Sequence, residues 1–102
     1  MDAIERAIEY LCDDRISSLY KGYHPLLQMA AELEGGAPCD RRLLARAAEG
    51  CGASMPRLYG CLNSIRKKIL SLAPAAERER IGAMDLYGFV QYVAGGGGQR
   101  PG

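Results

Sequence analysis

The sequence predicts an all-α domain, a bundle of about six helices with a helix-turn-helix in its middle. Three observations carry this expectation. Apolar residues recur at helical spacing along the chain, and no stretch alternates as a half-buried strand would. Capping residues or prolines stand at the starts of the apolar-periodic segments, and glycines close several of them. The chain has 102 residues, 48% of them hydrophobic and 25% charged, which suits one soluble domain with a modest core and not a disordered chain.

The first helix is expected over about residues 3–13. Asp2 caps it and Glu5 follows three positions later, a capping-box arrangement that satisfies early backbone N–H groups. Ile4, Ala7, Ile8 and Leu11 form its expected buried stripe. Residues 16–23 bridge to the second helix, with Gly22 permitting a sharp turn and Pro25 suited to a first helical turn. The second helix runs to about Glu34 with Leu26, Leu27, Ala30 and Leu33 inward, and Gly35-Gly36 ends it through a left-handed residue. Asp40 caps the third, about 41–50, in which Leu43, Leu44, Ala47 and Ala48 face inward and Arg41, Arg42, Arg46 and Glu49 outward.

Residues 50–53 make a tight turn. Ser54 caps the fourth helix, Pro56 sits in its first turn where a missing N–H costs little, and the helix continues to about Leu72. Leu58, Cys61, Leu62, Ile65 and Ile69 form its apolar face. Pro74 opens a short fifth helix over 75–82. Asp85 caps a sixth, about 86–94, with Leu86, Phe89, Val90 and Val93 inward. The domain therefore spans 1–94. Residues 95–102 have no core-forming side chain and are expected to be a disordered Gly-rich tail.

The net charge of +1 hides a division along the chain. Residues 1–40 hold three basic residues against eight acids, a net of −5. Residues 41–70 hold seven basic residues against Glu49 alone, a net of +6. The two parts either neutralise one another across the fold or leave a basic face for an anionic partner. Cys12, Cys51 and Cys61 fall on apolar phases and are expected to be small buried hydrophobes, whereas Cys39, after Pro38 in a loop, is the expected exposed thiol. No two cysteines form a C-x-x-C pair and His24 is the single histidine, so no structural zinc pattern is present and no cofactor is expected.

The third helix, the glycine turn and the fourth helix together have the pattern of a helix-turn-helix. In that motif the second helix lies in the DNA major groove and the first braces it. Ala47 and Ala48 are small where two helices approach, and Gly50 and Gly52 supply the turn. Arg57, Tyr59, Asn63, Arg66 and Lys67 fall on expected outward phases of the fourth helix, and arginine and asparagine are able to pair with base edges. Arg66-Lys67-Lys68 either grips phosphates or complements the negative end of the helix dipole.

Lys21-Gly22-Tyr23, a leucine-rich helix, Leu43 with Ala47 and Ala48, Ser54-Met55-Pro56-Arg57-Leu58, and Gly88-Phe89-Val90-Gln91-Tyr92-Val93-Ala94 occur in a suggestive order. In order and spacing they resemble the C-terminal DNA-binding effector domain of the stage zero sporulation response regulator, over about residues 8–94. The resemblance implies an all-helical fold of about six helices and a transcription regulator that binds double-stranded DNA. Tyr59, Gly60, Asn63 and Ser64 stand where the family carries charged Glu, Arg, Arg and His, and Arg57 is the residue that carries over. The resemblance thus implies a different base preference. The expected DNA-contacting set is Arg57, Tyr59, Asn63, Ser64, Arg66, Lys67, Arg41 and Arg42. With so few basic residues, specific binding implies a homodimer or tandem sites, with half-sites roughly 34–36 Å apart.

Other classes are disfavoured. No apolar run approaches the roughly 18 residues of a membrane span. The acidic, amphipathic start does not resemble a signal peptide, so the expected compartment is the cytoplasm. There is no catalytic triad, phosphate loop or paired-carboxylate pattern, and no enzyme is expected. His24 before Pro25 is expected on the surface, and the six tyrosines at the edge of the core. The rival class is a protein-interaction module that keeps the fold without the base-reading surface.

Overall fold

The computed structural model describes residues 2–13 and 15–99, and among these residues there are helices and no strand. The order is α1 (Ala3–Asp13), α2 (Tyr23–Glu34), α3 (Arg41–Gly50), α4 (Met55–Leu72), α5 (Ala75–Gly82), α6 (Leu86–Ala94) and a single turn α7 (Gly96–Gln99). Helix α2 is the hub, packing against α1, α3, α4 and α6. Helix α4 in turn packs on α3 and α5, and α1 is closed off by α6 and α7. One contiguous core joins these elements, with Leu26, Met29, Leu43, Leu44, Leu62, Ile65 and Phe89 fully enclosed.

Local chemistry sets most boundaries. The Asp2 carboxylate accepts from Glu5 N at 2.8 Å, Asp40 from Arg42 N and Leu43 N, Ser54 from Arg57 N, and Asp85 from Gly88 N. Helix α2 ends with Gly36 at φ 96°, with Gly36 N donating to Leu33 O and Ala37 N to Glu32 O. Helix α3 ends the same way. Gly52 has φ 64°, its N–H donates to Glu49 O, and Ala53 N donates to Ala48 O at 2.9 Å. Both are six-to-one closures that use up the last carbonyls of a helix. The connection from α3 to α4 is therefore one such closure followed directly by the Ser54 cap.

Several packing expectations are corrected. The buried row of α1 is Ala3, Ala7, Tyr10 and Leu11, while Ile4 and Ile8 remain 36% and 40% exposed. Tyr10 is the cause. Its ring packs edge-on against Tyr92 and its hydroxyl donates to Glu77 Oε1 at 2.7 Å, so the large aromatic faces inward and the isoleucines turn to the rim. In α2, Met29 is fully buried, whereas Leu27 and Leu33 are only partly so. Cys12 and Cys51 are exposed and Cys61 is half-buried, because Cys12 lies past the edge of the inward row and Cys51 is the cap of α3. Cys39 is the reverse case. It is half-buried with Sγ 3.6 Å from Tyr87 O, and burial, then Asp40 and Asp85, push its thiol above the usual range.

The tail expectation is also revised for residues 95–99. Gly96 and Gly97 adopt φ of 75° and 82°, and the chain turns back as α7 against α1. A Cβ at position 96 would stand 3.3 Å from Arg6 Cβ, so the glycine that looked like a linker permits close packing. The remainder of the expected tail, 100–102, lies outside the described residues. The tyrosines do pack within the core or at its edge, and His24 is exposed beside Tyr23.

Helix α1 closes with Arg15 N donating to Cys12 O and Ile16 N to Leu11 O, and Arg15 itself sits at φ 58°. A non-glycine residue pays steric strain there. Arg15→Gly is expected to stabilise the fold by about 0.5–1 kcal/mol, raising the thermal midpoint by several degrees. A lowered midpoint by calorimetry would contradict this account of the α1 terminus.

Candidate nucleic-acid interface

Helix α4 has 18 residues and none is acidic. Its inward row is Leu58, Leu62, Ile65 and Ile69, all essentially inaccessible. Helical spacing divides the rest into two flanks and an outer face.

The first flank meets α5 and α6. Arg66 Nη2 donates to Ile81 O at 2.7 Å and to Met84 O at 2.6 Å, and the guanidinium carbon lies 5.7 Å from the centroid of the Phe89 ring. These carbonyls belong to the end of α5 and the link to α6, and Ile81 O also accepts from Met84 N at 3.1 Å. Arg66 is thus an internal clamp and not an outward phosphate contact. The half-buried Tyr59 lies on the same flank, beside Tyr87. Desolvation pushes the Tyr87 hydroxyl above the usual tyrosine range, the Tyr59 hydroxyl adds to the rise, and Arg41 opposes it. Tyr59 and Arg41 therefore belong to a corner where α3, α4 and α6 begin.

The second flank meets the loop before α2. Gly22 has φ 89°, and a Cβ there would lie 2.8 Å from Cys61 O and 3.0 Å from Ile65 Cγ2. The hydroxyl of Tyr20 donates to Ser64 O at 3.5 Å. The loop backbone thus rests on the α4 backbone, and Lys21 is held at the helix. Lys21, Arg57, Gly60, Cys61 and Ser64 line one open groove of about 330 Å³.

The outer face holds Gly60, Asn63 and Lys67, all exposed, with Arg57 and the half-exposed Ser64 turned toward the groove and Lys68 exposed beyond it. Of the eight expected residues, the structure brings Arg57, Asn63, Ser64 and Lys67 together on this side of α4. Arg42 is exposed at the start of α3. Arg46, also expected outward, pairs with Glu32. Lys21, which lines the groove, is outside the set expected from the residue pattern. Lys21 lies in a connection with no helical phase, and in the run Arg66-Lys67-Lys68 spacing alone does not tell that Arg66 turns to the Ile81 and Met84 carbonyls while both lysines stay exposed.

Among the described residues, no group of three His, Cys, Asp or Glu side chains is placed to hold a metal ion, and no helix is long and apolar enough to cross a membrane. No protein-family model, no curated protein and no solved structure matches the chain.

The two adjacent bases should behave differently on removal. Arg66→Ala is expected to cost about 2 kcal/mol, because it deletes two charge-assisted hydrogen bonds to part-buried carbonyls. Lys67→Ala, on the exposed face, should stay within about 0.5 kcal/mol of wild type. Urea denaturation midpoints of the two variants test the assignment, and equal stabilities would refute it.

Proposed function

We propose that this domain is a DNA-binding transcription regulator in which α3, the glycine closure and α4 act as a helix-turn-helix. The observation that carries the reading is the outer side of α4, where Arg57, Asn63, Ser64 and Lys67 are gathered on a helix without a single carboxylate. The +6 balance of residues 41–70 and the order of motifs shared with the sporulation effector domains support the same reading. Asn63 is the candidate reader of base edges, being able to form paired hydrogen bonds to adenine. Lys67 is a candidate phosphate contact. Gly60 contributes no side chain, so the base-reading surface is small, and specific recognition then needs two copies or tandem sites. The expected setting is cytoplasmic, with no catalytic role.

A second reading, a protein-interaction module, is favoured by one specific feature. Ile4 and Ile8 form an exposed stripe one turn apart on α1, next to Glu5 and Glu9.

Titration of random-sequence duplex DNA by fluorescence anisotropy at several salt concentrations tests the DNA reading. Affinity should fall with salt with a log–log slope of about −0.9 per neutralised phosphate. Lys67→Ala should weaken all sequences alike, while Asn63→Ala should cost about 1–3 kcal/mol on a selected site and relax preference there. Absence of salt-dependent binding at roughly tens of micromolar protein would reject DNA binding in favour of the interaction module.

A further inference from the structure

We propose that the groove between the Lys21 loop and α4 seats a backbone phosphate of duplex DNA, with Lys21 as a contact delivered from outside the helix pair. The inference rests on the DNA reading and deepens it, since it names a phosphate-binding subsite and a residue outside the expected set.

Four features of the groove carry the proposal. Its rims hold two cations, Lys21 and Arg57, and neither has an ion-pair partner among the described residues. Its lining includes no carboxylate. Its floor is open at Gly60, where an added Cβ would meet no atom within 4 Å, so a bulky anion can approach the helix backbone. Its Ser64 hydroxyl supplies a neutral donor beside the two charges.

The fixed position of Lys21 separates this groove from a surface with two mobile bases. Gly22 packs against the Cys61 carbonyl, Tyr20 donates to the Ser64 carbonyl, and Tyr23 N donates to Tyr20 O at 3.1 Å. The lysine is therefore flanked on both sides by residues anchored to α4 or to the first turn of α2. Its side chain keeps its own freedom, but its root does not wander, which lowers the entropy lost when an anion binds. The groove continues past Arg57 and Cys61 to the closure between α3 and α4, where His24 also contributes to the lining.

The test uses the full chain and the same random duplex pool. Lys21→Gln should weaken binding about threefold or more at moderate salt and reduce the magnitude of the log–log salt slope by about 0.9. Gly60→Leu fills the groove while improving helix propensity, so it should reduce binding without lowering the thermal midpoint. Arg78→Gln removes an equal charge from the exposed side of α5 and should leave affinity unchanged. If wild type binds DNA and Lys21→Gln and Gly60→Leu match Arg78→Gln, the groove is not a phosphate seat although the DNA reading stands. If wild type binds no duplex, both fall together.

Discussion

The close approach of Gly22 to helix α4 is the constraint on which the rest of the structure depends. At φ 89° the residue is in a region that side chains with a Cβ rarely occupy, and the carbonyl of Cys61 fills the space a Cβ would need. Backbone therefore packs on backbone. Helix α2 starts at the next residue and touches α1, α3, α4 and α6, so its starting point registers much of the bundle against α4. The same contact holds the root of Lys21 at the edge of the groove. Fold and candidate site share one anchor.

Helix α4 serves three neighbours at once, and its charges are divided accordingly. Arg66 turns inward to the two carbonyls near the α5–α6 link, where it trades hydration for charge-assisted hydrogen bonds and a contact over Phe89. Tyr59 fills the corner with Tyr87. Lys67, Asn63 and Gly60 face outward, and Arg57 and Ser64 face the groove. A basic helix with no carboxylate is thus partly structural, and the charge available to an anionic partner is smaller than the +6 of its segment suggests. Pairing of Arg46 with Glu32 removes a further cation, so the acidic N-terminal part does neutralise some of the basic one.

What was legible in the sequence was chiefly local. The helix starts at Asp40, Ser54 and Asp85 are visible because a capping side chain bonds to backbone only two or three residues away. The inward row of α3 is visible because two leucines and two alanines leave a single apolar face. Long-range partners decide the rest. Arg66 and Lys67 are adjacent and chemically alike, and only the position of the Ile81 and Met84 carbonyls sends one inward. The rotation of α1 depends on Glu77 waiting for the Tyr10 hydroxyl, a contact across 67 positions of sequence. Gly96 looks like linker because the absence of a side chain is the same signal for freedom and for tight packing. Lys21 opens the Lys-Gly-Tyr sequence before α2, but nothing in those three residues states which helix it stands beside.

The most direct test of this account is the stability of Gly22→Ala measured by urea denaturation. Strain at positive φ and the steric conflict with the Cys61 carbonyl act together, and the variant should lose at least about 2 kcal/mol relative to wild type. A loss confined to a few tenths of a kcal/mol would show that the loop does not rest on α4 at this point, and would contradict the shared anchor of fold and site.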